Sequence, residues 1–165
     1  MKAMKAIDEI APRIERASFP SPLGWISLSA EDDHITALTW GDKRWADAPS
    51  PLLTEAGAQL AAYFDHRLEM FDLPLSCPST PFVYGVLEAI MSINFGQTKT
   101  YGDIADYVLG SAQAVGRACG QNPIPILIPC HRVLGATSLG GFSGNGGVES
   151  KVFLLRHEGA AGLLL

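Results

Sequence analysis

Apolar positions along this chain change their period several times, and each change marks an element. Between Trp25 and Ser29 apolar and polar residues alternate, with Ile26 and Leu28 on one side, the period of a half-buried strand. Ser21-Pro22-Leu23-Gly24 ahead of it is a turn signal, and Glu31-Asp32-Asp33 behind it can reverse the chain. Ile35 to Trp40 reads as a second strand, so the region predicts a hairpin. Ala46 to Pro51 reads as a loop, after which Leu53, Leu60 and Phe64 fall at helical spacing. From Arg67 to Pro81 the pattern dissolves into a proline-bearing stretch, read as the linker between two lobes.

The second half is helical in period. Thr80-Pro81 has the form of an N-cap followed by proline at the first helical position. Phe82, Val83, Val86, Leu87, Ile90 and Met91 then recur at helical spacing and predict a buried helix that Gly96 can end. Thr100 is the next N-cap, with Asp103 in the first turn and Ile104, Ala105 and Val108 on an inner face. Gly110-Ser111 turns the chain into a third helix, Ala112 to Cys119, closed by Gly120. Two short helices around a Gly-containing turn match a helix-turn-helix, a pattern that many helical domains also carry. Asn122-Pro123 stops that helix, and an apolar segment from Ile124 to Ile128 leads into Pro129-Cys130-His131-Arg132-Val133. A glycine-rich loop spans Gly135 to Gly147. A last helix starts near Val148, turns Val152, Phe153 and Leu155 inward, and ends near His157-Glu158-Gly159.

Composition narrows the class. The apolar content of 47% supports a real core, and no apolar run approaches membrane-spanning length. The N-terminus has no signal-peptide core, so the expectation is a soluble, cytoplasmic protein, monomeric by default. Three cysteines (Cys77, Cys119, Cys130) without a CxxC pair argue against a disulfide scaffold, and the four scattered histidines give no support for a metal site. The net charge of -5 speaks against duplex binding. All of it resides in residues 1–85, however, and residues 86–165 are neutral. Any DNA contact is therefore expected in the C-terminal half, with modest salt dependence.

The chemistry centres on Cys130. A lone cysteine is most often an inert core residue. His131 beside it changes the weighing, because a thiol needs a base or a positive neighbour to become the reactive thiolate. Adjacent side chains seldom face each other, so a proton would pass through a water, and an acid such as Glu158 would have to orient the imidazole.

Pro129-Cys130-His131-Arg132-Val133, preceded by Asn122-Pro123-Ile124-Pro125-Ile126-Leu127-Ile128, resembles the active-site signature of the O6-alkylguanine-DNA alkyltransferases, the methylated-DNA–protein-cysteine methyltransferases. The likeness extends to Ser21-Pro22-Leu23-Gly24, Phe95-Gly96, Thr100-Tyr101-Gly102-Asp103-Ile104-Ala105, Lys151 and Leu154-Leu155-Arg156-His157-Glu158-Gly159, covering about residues 17–160. It implies an α/β fold: a small N-terminal α/β lobe, residues 1–78, on a mostly helical C-terminal domain, residues 79–165, that contains the helix-turn-helix.

The resemblance also implies roles. Cys130 would be the nucleophile, His131 its water-mediated base and Glu158 the residue orienting that base. Asn122 would brace the turn, and Tyr101 would press on a phosphate and help rotate the target nucleotide outward. Ala114 and Gly116 would let the recognition helix approach the minor groove, with Gln113, Arg117 and Arg132 as further DNA contacts. Val133, Phe142 and Ser143 would wall the base pocket. The partner would be double-stranded DNA bearing O6-alkylguanine, with no metal or organic cofactor, and each protein molecule would be consumed by one lesion. Plain alternatives stand beside these roles: Arg132 as a structural ion-pair residue, Asn122 as a helix-end cap, Tyr101 as packing, Arg117 and Lys151 as solvated charges, Cys77 and Cys119 as thiols without a role.

The chain departs from the family at Gln113, where an arginine usually fills the gap left by the extruded base. Gln is shorter and uncharged, so weak duplex affinity is expected. The loop Phe142-Ser143-Gly144-Asn145-Gly146-Gly147 is about two residues longer than usual. The competing readings are a non-catalytic sensor of alkylated DNA, which would not need Cys130, and a redox-responsive DNA-binding protein using Cys130 as its sensor.

Overall fold

The computed structural model describes residues 13–41, 45, 49–142 and 147–160. Strand β1, Ile14–Phe19, pairs antiparallel with β2, Ile26–Glu31, and β2 pairs antiparallel with β3, His34–Trp40. The turn Ser21–Gly24 is closed by reciprocal backbone hydrogen bonds of 3.0 Å. In the second hairpin Asp32 and Asp33 both take positive φ (48° and 63°), the form of two-residue turn that matches the strand twist and that aspartate tolerates. The expected hairpin is present. β1 is an addition: its sequence Ile-Glu-Arg-Ala-Ser-Phe offers only one clearly apolar face, and its pairing with β2 settles its state.

Helix α1, Pro51–Phe64, covers the sheet. Ser50 caps it, its side chain accepting from the Leu53 amide, and Pro51 opens it. Leu53, Ala56, Leu60 and Tyr63 are buried against Ile26, Leu28 and Ile35 of the sheet in one core cluster. The inward residue of the last turn is Tyr63, fully buried, whereas Phe64 is half-buried. The proline-bearing stretch that follows is irregular, as expected, yet pinned. Gln59 exchanges two hydrogen bonds with the Asp72 backbone, and Ile35 bridges to Leu75.

Helix α2, Pro81–Met91, starts at the expected cap, Thr80. Val86, Leu87, Ala89 and Ile90 are buried, but Phe82 and Met91 lie on its open side, because only the stripe facing the next two helices is covered. Strand β4, Lys99–Thr100, precedes α3, Tyr101–Val108, whose N-terminus carries a full capping box. The Thr100 hydroxyl accepts from the Asp103 amide at 3.0 Å, and the Asp103 carboxylate accepts from the Thr100 amide at 2.9 Å. Helix α4, Ala112–Gly120, is capped by Ser111. The left-handed residue between α3 and α4 is Leu109 (φ 57°), not Gly110; Gly110 is needed for space, since a Cβ there would fall 2.7 Å from the Phe82 ring.

Asn122 to Pro129 then crosses the core, with Ile124, Ile126, Leu127 and Ile128 all buried. Ile126 holds φ +71°, a strained state for a β-branched residue that its surroundings enforce. The Leu38 amide donates to the Pro123 carbonyl at 2.9 Å and ties the sheet to this segment. Cys130–Arg132 form one 3-10 turn. Strand β5, Val133–Leu134, pairs parallel with β4, and α5, Val148–His157, closes the fold. On α5 Leu155 points inward as expected, joined by Ser150, Lys151 and Leu154. Val152 is half-buried and Phe153 is on the open face. Among the described residues no helix is long and apolar enough to cross a membrane.

Candidate active site

Cys130 is buried, 6% exposed, at the start of the 3-10 turn. Its amide donates to the Ile128 carbonyl at 2.7 Å, so the prolines and the strained Ile126 upstream fix where the thiol sits. Asn122 lies in this approach: its Nδ2 donates to the Ile128 carbonyl and its Oδ1 accepts the Ile124 amide, both at 2.9 Å. Burial pushes the Cys130 thiol above its ordinary value, while the Asn122 hydrogen bond, the positive charge of Lys151 and its own backbone pull it down.

The structure brings His131 and Glu158 together. The fully buried imidazole donates from Nε2 to Glu158 Oε2 at 2.7 Å. That bond leaves the proton-free nitrogen at Nδ1, which has no protein partner among the described residues. Burial keeps His131 neutral, against the opposing pull of Glu158. Burial also opposes the charge on Glu158, but hydrogen bonds from His131 and Arg132 outweigh it, and the carboxyl is held below the usual range. His131 contributes first and Arg132 next, through two bonds: Nε donates to Oε1 at 2.8 Å and Nη2 to Oε2 at 2.9 Å, while Nη1 donates to the Ile93 carbonyl at 2.6 Å. All three guanidinium nitrogens donate inside the protein, and the residue is buried. Arg132 is therefore corrected from a DNA contact to the ion-pair residue that was its plain alternative.

A cleft of about 440 Å³ opens over the thiol, lined by Tyr101, Gly116, Cys119, Gly120, Cys130, Gly141 and Phe142. Helix α4 supplies three of these. Phe142 is one of the lining residues, and Ser143 is outside the described residues. Val133 is corrected: its side chain is fully buried and does not reach the cleft, and its carbonyl serves Lys151 instead. Tyr101 is half-buried at the cleft, its oxygen hydrogen-bonded by the Gly141 backbone, and desolvation raises its pKa. Gly140 takes φ +73° directly under the Tyr101 ring, and a Cβ would lie 2.5 Å from the hydroxyl, so only glycine fits. Gln113 and Arg117 are exposed on the outer side of α4, with Ala114 and Gly116 half-buried beside them.

Two residues at or beneath the cleft went unrecognised in the sequence. Lys151 is no solvated charge: it is fully buried, donates from Nζ to the carbonyls of Val133 at 2.6 Å and Gly141 at 3.1 Å, and lies 5.8 Å from the Tyr101 ring centroid. Burial brings it down to about 8, partly offset by the two cysteines. Its position four residues before the buried Leu155, on the inner stripe of α5, was the available signal. Cys119 shares the cleft, and burial followed by the nearness of Cys130 pushes its thiol up to about 12. Burial raises both thiols, and Cys130 is the one that also lies next to His131 in the chain and is pulled back by Asn122 and Lys151. Among the described residues no three His, Cys, Asp or Glu side chains gather as a metal site.

A buried thiol, a neutral imidazole next to it in the chain and the second helix of a helix-turn-helix thus meet at one cleft, the arrangement of a helix-turn-helix protein with a cysteine-centred site. The comparisons with known proteins make the class specific. Residues 81–160 match the 6-O-methylguanine DNA methyltransferase DNA-binding domain, and residues 14–77 match the ribonuclease-like domain of the same methyltransferases. The chain belongs to the 6-O-methylguanine DNA methyltransferase family. It is 40% identical over 152 residues to the constitutive methylated-DNA–protein-cysteine methyltransferase of Bacillus subtilis, covering 84% of this chain and 91% of that one. The fold is similar to the O6-methylguanine methyltransferase of Mycobacterium tuberculosis, with a TM-score of 0.78 at 34% identity over 93% of this chain and 97% of the other. It is also similar to that organism's OGT solved in complex with DNA, with a TM-score of 0.75 at 38% identity over 87% and 92% of the two chains.

Proposed function

We infer that this protein repairs alkylated duplex DNA by moving an alkyl group from O6 of guanine onto Cys130, once per molecule. One observation carries the reading: the reactive thiol and the inner face of α4 line the same cleft, so a base delivered by the DNA-binding helix arrives at the nucleophile. The O6 substituent of a stacked guanine is hard to reach inside a duplex, and the base must be extruded at a cost of about a few kcal/mol. In this reading Tyr101 presses on the backbone, Ala114 and Gly116 allow close approach, and Gln113 and Arg117 face the groove. Phe142 walls the base.

His131 takes the thiol proton at Nδ1 through a water molecule, and Glu158 holds the imidazole in the tautomer that can accept it. The thiolate attacks the alkyl carbon. A C–S bond forms, the C–O6 bond breaks, and its electron pair stays on guanine, which takes a proton at N1. The thioether product has no neighbouring group to hydrolyse it, so turnover stops. Residues 1–78 act as the supporting lobe and 79–165 as the DNA-binding and reacting domain. One copy suffices for each lesion, which favours a monomer, and the cytoplasm is a compartment that keeps the thiol reduced. A non-catalytic sensor would need neither Cys130 nor the imidazole and carboxylate aligned behind it.

The test is intact mass after incubation with duplex DNA holding one O6-methylguanine. A gain of one methylene mapped to Cys130, absent in Cys130→Ser, is the expected result. Binding without mass gain would make the protein a lesion sensor.

A further inference from the structure

We propose that Tyr63, on α1 of the N-terminal lobe, is a positioning residue of the proton relay and sets how readily His131 accepts the thiol proton. The proposal rests on the transfer reading above. The Tyr63 hydroxyl donates to Glu158 Oε2 at 2.7 Å, the same oxygen that accepts His131 Nε2 at 2.7 Å and Arg132 Nη2 at 2.9 Å. Tyr63 stands 95 residues before Glu158 and is the relay's contact with the other lobe.

The hydroxyl can act only as a donor there. Burial first, then the charge of Glu158, raises its pKa far above the ordinary value of 10.0, so it keeps its proton. Its ring is fixed by Phe64, Phe71, Phe95 and His157, with centroids 4.8 to 5.9 Å away, and the His157 imidazole donates to the Tyr63 carbonyl at 2.8 Å. The charged and titratable groups around the relay are thus Arg132 on the 3-10 turn, Lys151, His157 and Glu158 on α5 and its cap, Tyr63 on α1, and Cys130 itself.

The chemistry follows from three donors sharing one carboxylate oxygen. Each donor satisfies part of its negative charge. Removing the hydroxyl leaves that oxygen hungrier for a positive partner, and the nearest group able to become one is His131. The imidazolium is then favoured, and His131 becomes protonated at higher pH. A hydrogen bond to a charged group is worth enough to move such an ionisation by about one unit.

The experiment measures His131 ionisation by ¹⁵N NMR and the single-turnover transfer rate against pH, for the unmodified protein, Tyr63→Phe and a protein with 3-fluorotyrosine at position 63. Tyr63→Phe keeps the ring packing and is expected to move both the His131 titration and the acid limb of the rate profile up by about one pH unit, roughly a tenfold loss of rate below the limb. The fluorinated phenol is a stronger donor, needs no change of packing, and is expected to move both the other way. A fall in melting temperature with titration and limb unmoved in both proteins would reduce Tyr63 to a structural residue and overturn the proposal. If the unmodified protein transfers nothing, the transfer reading fails, and the NMR titrations alone decide the role of Tyr63.

Discussion

Replacing Arg132 with methionine tests the structure where it departs most from the sequence reading. The change removes the two bonds to Glu158, at 2.8 and 2.9 Å, and the bond to the Ile93 carbonyl at 2.6 Å. It leaves the Glu158 side chain, 0% exposed, without its guanidinium. Breaking a buried ion pair from one side costs about 3–5 kcal/mol, against a total stability of about 5–15 kcal/mol. In a chain of this size each kcal/mol lowers the melting temperature by about 2–4 °C, so a fall of about 6–20 °C is expected. Urea unfolding at pH 7 gives the energy, and a duplex-binding titration on the still-folded variant gives the affinity. The sign with pH is fixed. Glu158 is held below its ordinary value of 4.5, so the ion pair contributes fully above that pH and is lost as pH falls toward the lowered value. The deficit of the variant is largest at neutral pH and shrinks below about pH 4.5. A loss under about 1 kcal/mol, the range of a surface pair, would refute the buried assignment. So would weakened DNA binding with stability intact, which would return Arg132 to the DNA interface.

Four further outcomes follow from other contacts. Gly57→Ala should destabilise by about 1–3 kcal/mol in urea unfolding, although alanine favours helix by about 1 kcal/mol, because a Cβ at 57 overlaps the Phe19 ring; a stabilised variant would mean β1 is free to shift. Gln113→Arg adds a cation to the exposed side of α4 and should raise duplex affinity and steepen the log–log salt dependence by about one unit; unchanged affinity and transfer rate would place residue 113 away from DNA. His131 is held below its ordinary 6.5 by burial, so it stabilises fully above that pH and progressively less below it. His131→Asn should flatten the stability curve below pH 6.5, and an unaltered slope would mean the imidazole is not buried neutral. Lys151→Met removes the positive charge near Cys130 and the clamp between Val133 and Gly141, and should slow transfer at pH 7 about tenfold or more; full activity would show that the thiolate does not depend on that ammonium.

Local rules in the sequence were enough for the helices, their caps and the β2–β3 hairpin, but not for β1 or the β4–β5 pair, which exist only through their pairing. Thr80-Pro81, Thr100 with Asp103, and Ser21 to Gly24 specify caps and a turn through contacts within four residues, and each is made in the fold. The signature around Cys130 likewise marked the proposed nucleophile, its imidazole neighbour and Asn122, which bonds the backbone of Ile124 and Ile128, because those residues lie in one short segment. The rest depended on chain segments far apart. Phe82, Met91 and Phe153 fit helical periods, yet which side of a helix is covered is decided by its packing neighbours. A charged residue gives no local sign of whether it is solvated or buried, so Arg132 and Lys151 acquired their roles only when Glu158, Ile93, Val133 and Gly141 came to meet them. Tyr63 shows the same limit most clearly. Its hydroxyl reaches Glu158 across 95 positions of sequence, and only the docking of one lobe on the other brings the two together.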